Sequence, residues 1–272
     1  TVTDSQGLVT FAGAVDATTL EVTDSQAGVT FDGTVTATTL TLTDTDATAA
    51  ITFNGDVTAT TLTAGGSEEH ALAFNEDVTI TNDVTFGAIG DVTIGTADDD
   101  VATFTGGVDA TSATGTVTLA GAINTVDTAM DFGNVELADG TTFDTGNAAA
   151  GTIVVGDITT GTNEVSFDSG STAGATIDVG AIADLTGGLT LVDAGGLATF
   201  GALGQGTTGD ITVTDSSAGV TFGGAVTATT LTLTDTTAGE DITFQGDLVA
   251  TTLTSTATSA YDVQFDEDVT VT

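Results

Sequence analysis

The chain has 272 residues, of which 39 are Asp or Glu and none is Lys or Arg, so its formal net charge is −39 at pH 7. This charge excludes nucleic acid as a partner, because Lys and Arg are needed to neutralise phosphates, and it excludes attraction to anionic membrane surfaces. The absence of cysteine excludes disulfides and thiolate metal sites. Polar residues interrupt every apolar run before it reaches the about 20 residues of a membrane helix, and we expect no membrane insertion.

The first elements in chain order are short alternating segments. Residues 9–11, 29–31 and 51–53 each have the pattern Val/Ile-Thr-Phe, and Phe74 continues the nearly even spacing of their phenylalanines. Between them, residues 39–43 alternate threonine with leucine, which is typical of a strand with one buried face. A glycine two residues after the phenylalanine marks a turn in five of these units, at Gly13, Gly33, Gly55, Gly224 and Gly246.

Self-similarity at this short and nearly constant spacing indicates a small unit that must stack on its neighbours to bury its apolar side. An antiparallel meander and a parallel β-solenoid both accept such units. The return of the same residue at the same phase favours the solenoid, since coils in register would stack phenylalanine on phenylalanine. We therefore predict an all-β, single parallel β-solenoid (β-helix) with about 20 to 22 residues per coil, about 13 coils and the shape of an elongated rod.

The later elements repeat the early ones. Residues 213–272 match residues 22–81 at 38 of 60 positions without a gap, at a constant offset of 191. Between these near-duplicate modules, residues 82–210 form a degenerate middle in which the period blurs and coils of unequal length are expected. The pattern Val/Ile-x-Val/Ile-Gly persists there, as in residues 92–95 and 177–180. The sequence thus predicts one continuous solenoid over residues 1–272.

The acidic turns are the candidate ion sites. Aspartates at equivalent turn positions (Asp4, Asp24, Asp44, Asp215 and Asp235) would form columns, and neighbours ~4.8 Å apart repel by roughly 0.9 kcal/mol even in water. No basic residue can relieve this repulsion, so either salt screens it or divalent cations bridge it, and oxygen-only ligands favour a structural Ca²⁺. No segment matches a known calcium-loop consensus, which keeps a simply solvated acidic surface as the alternative. The predicted ligands are Asp24, Asp44, Asp98, Asp99, Asp100, Asp235, Glu240, Asp241, Asp266 and Asp268.

No enzyme activity is predicted, and we assign no catalytic or cofactor-binding residue. The single histidine, His70, aligns with Tyr261 in the second module. A position that accepts both is typical of a partly exposed packing site. Serine nucleophiles would have no second histidine or lysine to activate them.

The pattern Val-Thr-Phe-x-Gly-x-Val-Thr-Ala-Thr-Thr-Leu-Thr-Leu-Thr-Asp of residues 29–44 resembles the strand repeats of large secreted bacterial adhesins, the filamentous-haemagglutinin and autotransporter-like β-helix proteins. The resemblance implies a right-handed parallel β-helix displayed outside the cell. It transfers no catalytic motif. The chain departs from that family in lacking every basic residue.

From these features we predict an extracellular or cell-surface structural repeat protein. Residues 1–6 begin like residues 21–26, residues 268–272 end in mid-pattern, and neither end shows a capping segment, so the expected partner is the protein itself. It would form or belong to a filament or sheath by end-to-end stacking of coils, either as a head-to-tail homopolymer or as neighbouring repeats of a larger chain. One alternative is a cell-surface adhesin stalk. Another is an ice-binding solenoid that uses outward pairs of threonines: Thr36/Thr38, Thr58/Thr60 and Thr227/Thr229.

Overall fold

A computed structural model describes residues 1–43, 46, 49–66, 69–234, 236–237, 239–256 and 260–272. Parallel strands stack as a β-solenoid of about 11 turns, with about 22 residues per turn and no helix. The predicted fold class is confirmed. Within the described part of the chain, no helix is long and apolar enough to span a membrane.

The chain divides into two compact units. The N-terminal unit comprises Thr1–Val126 and Asp131–Gly133, and the C-terminal unit comprises Asp127–Met130 and Asn134–Thr272. The strands of the N-terminal unit are β1 (Val9–Phe11), β2 (Val15–Val22), β3 (Val29–Phe31), β4 (Val35–Leu42), β5 (Ala50–Phe53), β6 (Val57–Ala64), β7 (Ala71–Phe74), β8 (Val78–Ile80), β9 (Val84–Thr85), β10 (Val92–Ile94), β11 (Val101–Phe104), β12 (Val108–Asp109) and β13 (Val117–Thr125). Strand β14 (Met130–Phe132) spans a point where the two units divide.

The strands of the C-terminal unit are β15 (Val135–Asp144), β16 (Ile153–Val155), β17 (Ile158–Thr159), β18 (Val165–Asp168), β19 (Ile177–Val179), β20 (Ile182–Asp184), β21 (Leu189–Asp193), β22 (Ala198–Phe200), β23 (Leu203–Thr207), β24 (Ile211–Val213), β25 (Val220–Phe222), β26 (Val226–Leu233), β27 (Asp241–Phe244), β28 (Leu248–Ser255), β29 (Asp262–Phe265) and β30 (Val269–Val271). The prediction of one continuous solenoid stays a prediction.

Three parallel ladders build the N-terminal unit. The first joins β1, β3, β5, β7, β10 and the start of β13. The second joins the first halves of β2, β4 and β6 to β8, β11 and the end of β13. The third runs through the second halves of β2, β4 and β6 to β9 and β12. Each coil therefore contributes one short strand segment to each side.

The C-terminal unit is also three-sided. One ladder joins β16, β19, β22, β25, β27 and β29. A second joins β15, β17, β20, β23, β26, β28 and β30 through the first halves of the long strands. The third joins the end of β15 to β18, β21, β24 and the second halves of β26 and β28.

The core is a stack of identical side chains, as the phase of the repeat predicted. In the N-terminal unit, the rings of Phe11, Phe31 and Phe53 lie 4.8 Å apart from centroid to centroid and are nearly parallel, and Phe74 follows at 5.1 Å. In the C-terminal unit, Phe222 stacks on Phe244 at 4.7 Å. Alternation makes this possible, because in β4 the valine, alanine and leucines face inward while the threonines face outward.

The predicted number of about 13 coils is wrong, because coils in the degenerate middle are longer. In the N-terminal unit the step along the chain from Val92 to its partner Val117 is longer than the step from Val9 to its partner Val29. In the C-terminal unit Val165 pairs with Leu189, which is again a long step. The expectation of unequal coils in this region is confirmed. The extra residues form turns outside the ladders, so the inward register of the strands is kept.

Candidate functional site

The predicted column of turn aspartates exists in the N-terminal unit at its first two members. Val2 pairs with Val22 and Ser5 pairs with Ser25, which places Asp4 beside Asp24 on adjacent coils. Asp4 is exposed and Asp24 belongs to the same kind of turn. Two predicted ligands, Asp44 and Asp235, lie outside the described residues.

A longer acidic column lies in the C-terminal unit. Asp144 is in register with Asp168, and Asp168 is in register with Asp193 on the next coil. Asp215 follows Asp193, because Leu191 pairs with Val213 two positions earlier. The sequence predicted only Asp215 of these four. The other three belong to the degenerate middle, where coil lengths hide the register.

Burial makes this column costly to charge. Desolvation raises the pKa of the Asp193 carboxyl, and the carboxylates of Asp215 and Asp168 raise it further, against an opposing hydrogen bond from the Ala194 N–H. Desolvation also raises the pKa of Asp168, where the Gly170 N–H opposes the shift and the Asp144 carboxylate adds to it. The Oδ1 atom of Asp193 is buried and has no hydrogen-bond partner among the described residues.

This column predicts that acid stabilises the fold. Because the pKa values of Asp168 and Asp193 are raised in the folded state, the folded chain binds these protons more tightly than the unfolded chain. The free energy of unfolding should therefore increase as pH falls from neutrality through the raised pKa values, until unfolded-chain carboxyls near 3.8 also titrate. Asp193→Asn should raise Tm by about 2–4 °C at neutral pH and flatten this dependence.

Thermal unfolding across this pH range measures both effects. Asp178→Asn is the matched control, since Asp178 is an exposed carboxylate on β19 of the same unit. It removes one charge from the same unit without touching the column. Equal Tm changes for the two variants at neutral pH would show that the column carries no local strain and would contradict the prediction.

The predicted cluster at residues 98–100 divides into two kinds of side chain. Asp98 and Asp99 are exposed on a turn. Asp100 is buried, and its Oδ2 atom accepts hydrogen bonds from the backbone N–H groups of Thr96 at 2.6 Å and Ala97 at 2.9 Å. This carboxylate closes its own turn, which is a structural use of the charge.

The remaining predicted ligands lie near the last coil. Asp241 opens β27 and pairs with Asp262 of β29. Asp266 accepts a hydrogen bond from the Gln264 side chain at 2.7 Å, while Glu240 is half-buried and Asp268 is exposed. In the described part of the chain, no three carboxylate or histidine side chains lie close enough together to hold a metal ion. The structural Ca²⁺ stays a prediction.

Buried hydroxyls that the sequence analysis did not single out hold the acidic turns. The Ser25 hydroxyl donates to the Gly28 carbonyl at 2.9 Å, and the Ser216 hydroxyl donates to the Gly219 carbonyl at 2.7 Å. Both serines are fully buried. They occupy the same position of the two modules, so the shared pattern Asp-Ser-x-Ala-Gly was the available signal. The turns that carry Asp24 and Asp215 are thus fixed from inside.

The expected partial exposure of His70 is wrong, because its side chain is fully buried. Its counterpart Tyr261 is half-buried, and the tyrosine hydroxyl donates to the Leu233 carbonyl at 3.1 Å. The Tyr261 hydroxyl also lies 2.8 Å from the Ser255 hydroxyl. The position is a packing site in both modules, with different neighbours.

The threonine pairs form an ordered outer face in the N-terminal unit. Thr36 and Thr38 lie in register with Thr58 and Thr60 of the next coil, and their side chains face outward. In the C-terminal unit Thr229 is exposed and Thr227 half-buried, but Val249 follows Thr227 in register and interrupts the face. The face of the N-terminal unit has the regularity that the ice-binding alternative requires, and that alternative stays a prediction.

The last coil exposes its inward-facing side chains. Phe265, Val269 and Val271 have 37%, 43% and 49% of their surface exposed. They stack on Phe244, Leu248 and Ala250 of the preceding coil, which are at most 1% exposed. The face of the last coil therefore shows apolar core side chains together with the unpaired edges of β29 and β30.

The first coil is open in the same way. Phe11, Val15 and Ala17 are half-buried, and each is covered on one side only, by Phe31, Val35 and Ala37 of the second coil. The second-coil residues are buried. The two end faces are thus cross-sections through the apolar core.

Comparisons with protein-family models, with curated proteins and with solved structures find no match to this chain. The resemblance to secreted adhesins stays a prediction. Function has to be argued from the surfaces described above.

Proposed function

We propose that this protein is a structural repeat protein that forms, or belongs to, a filament or sheath outside the cell by stacking its solenoid coils end to end. The observation that carries the proposal is the exposure of Phe265, Val269 and Val271 on the last coil. Such an end face combines apolar area with a row of free backbone donors and acceptors, and both are satisfied when another coil is added.

The first module indicates what kind of surface covers such a face. Phe74, Val78 and Ile80 hold the positions equivalent to Phe265, Val269 and Val271, and they are at most 1% exposed. In the N-terminal unit they are covered by the following coil, which carries Ile94, Ala102 and Phe104. A nearly identical coil therefore already lies under another coil of this chain.

Composition favours an exposed environment for the filament. With no Lys or Arg, the chain offers no cleavage site to trypsin-like proteases, and it has no thiol to oxidise. The net charge of −39 keeps filaments apart sideways, because like-charged lateral surfaces repel, while the end faces are mainly apolar. Growth is therefore directed along the solenoid axis.

The test is assembly of the purified chain, followed by sedimentation velocity over a concentration series and by electron microscopy at fixed ionic strength. The wild-type chain should form concentration-dependent, unbranched assemblies. Val269→Asp places a carboxylate on the end face and should abolish them. Val249→Asp is the matched control, since Val249 is 42% exposed but faces outward from β28.

A wild-type chain that stays monomeric at every concentration overturns the proposal, and so does equal loss of assembly in both variants. Repeating the series with a calcium chelator decides the role of the acidic turns. Assemblies that dissolve on chelation support bridging by Ca²⁺, and assemblies that persist leave the charge with a solubilising role only.

A further inference from the structure

Gly13 has no explanation inside its own chain. It lies in the turn between β1 and β2, its φ is not positive, and a Cβ atom added to it would meet nothing within 4 Å. Glycine loses more conformational entropy on folding than any other residue, so a position without a steric need for glycine is destabilising. A need that the single chain does not show is therefore expected at this position.

The next coils show what that need is. At Gly33, the equivalent position of the second coil, an added Cβ would lie 2.6 Å from the carbonyl carbon of Gly13 and 2.7 Å from the nitrogen of Ala14. At Gly55, on the third coil, it would lie 2.9 Å from the carbonyl carbon of Gly33. Glycine is required here because the backbone of the preceding coil passes too close for a side chain. Gly13 has this clearance on its open side.

The last coil fits that clearance. Residues 262–272 align with residues 8–18 without a gap, through the ladder positions of their own units and the constant offset between the two modules. In this register Phe265 faces Phe11, Val269 faces Val15 and Val271 faces Ala17. Apolar side chains thus meet apolar side chains at each inward position.

Charge is matched in the same register. The turn of the last coil, residues 266–268, is Asp-Glu-Asp, while the turn of the first coil, residues 12–14, is Ala-Gly-Ala. Asp16 is the one carboxylate among residues 8–18, and it would face Thr270. No carboxylate of one face would therefore oppose a carboxylate of the other, which in a chain with 39 acidic residues removes the main electrostatic obstacle to contact.

We infer that the first coil of one copy is the docking surface for the last coil of a second copy, in parallel register, with Gly13 packed beneath the acidic turn of residues 266–268. This inference rests on the proposed end-to-end assembly and adds its polarity, its register and the residue that makes close approach possible. Each junction continues the ladders, β29 pairing with β1 and β30 pairing with β2 of the neighbouring copy.

Two variants test the contact. Gly13→Val leaves the single chain its fold, because the added atoms meet open space, but in the assembly they collide with the backbone of the last coil. The concentration required for assembly should rise by about tenfold or more. Thermal unfolding of the dilute, monomeric variant should match the wild-type chain, which shows that the loss is one of contact and not of folding.

Disulfide trapping tests the register, and the absence of native cysteine makes it clean. In the double variant Thr270→Cys with Asp16→Cys, the two thiols lie opposite each other across the junction, at the roughly 4.8 Å spacing of neighbouring strands, which a disulfide spans. Oxidation should give a covalent ladder of multimers. Thr272→Cys with Asp16→Cys is the shifted control and should give none, and Thr36→Cys with Thr58→Cys should close within one chain.

The outcomes separate the two claims. Assemblies that form, resist Gly13→Val and give no Thr270–Asp16 cross-link overturn this register while the proposed filament stands. A chain that never assembles overturns both. A cross-linked ladder together with the loss caused by Gly13→Val supports both.

Discussion

Replacing Phe53 with alanine is expected to lower the free energy of unfolding by about 3–5 kcal/mol, the range for removing a fully buried aromatic ring. Phe53 is fully buried and stacks on two rings, Phe31 at 4.8 Å and Phe74 at 5.1 Å. The stacked coils cannot collapse around the missing ring, because backbone hydrogen bonds fix the spacing between them. Urea unfolding followed by circular dichroism measures the change.

Phe11→Ala is the matched control for this substitution. Phe11 stacks on Phe31 alone at 4.8 Å and is half-buried on the open face of the first coil. Its removal should cost about 1–2 kcal/mol, because less apolar surface leaves its burial and the end coil can adjust. Equal losses for Phe11→Ala and Phe53→Ala would contradict a core built by stacking, in which interior coils carry interfaces on both sides.

The spacing of these phenylalanines is the reason that the fold could be predicted from the sequence. In a solenoid, residues in register touch directly, so the period of the repeat states which side chains are neighbours. Phe31, Phe53 and Phe74 follow that rule. Alternation of threonine and leucine then fixes which side of each strand faces inward.

The rule fails where insertions change the coil length. Asp168 and Asp193 are neighbours although the step between them along the chain exceeds the period of the modules, and the pairing includes an irregularity in the strand register. A sequence pattern cannot show which turn absorbs the extra residues. The acidic column of the C-terminal unit was therefore missed, although the reasoning about repulsion between stacked aspartates applies to it directly.

Burial at single positions was also beyond the pattern. The alignment of His70 with Tyr261 shows that the site accepts a ring, but the fraction of that ring that is buried depends on the coils above and below it. His70 lies inside the N-terminal unit, whereas Tyr261 lies in the last coil of the C-terminal unit. The two modules are alike in sequence and differ in what covers them, which is the difference that exposes the end face.

Glycines after the phenylalanines were predicted as turn residues, and the structure gives them a second role that leads to a severe substitution. Gly33→Val is expected to destabilise the fold by about 3 kcal/mol, the upper part of the range for overpacking. The added Cβ would lie 2.6 Å from the Gly13 carbonyl carbon and 2.9 Å from its oxygen. These are backbone atoms of the coil on which the second coil stacks, so they cannot move without disturbing the ladders between the two coils.

Gly13→Val is the same change one coil earlier, and it separates steric from intrinsic causes. Valine suits a strand-rich turn no better at residue 13 than at residue 33, so a cost that came from the residue type would appear at both positions. A cost that comes from the approach of a preceding coil appears only at residue 33 in the monomer, since nothing lies within 4 Å at residue 13. Thermal and urea unfolding of the two dilute variants should therefore differ by most of the expected about 3 kcal/mol. Similar stabilities would mean that backbone proximity between coils is not what requires glycine here, and Gly13 would then offer no clearance for a second copy.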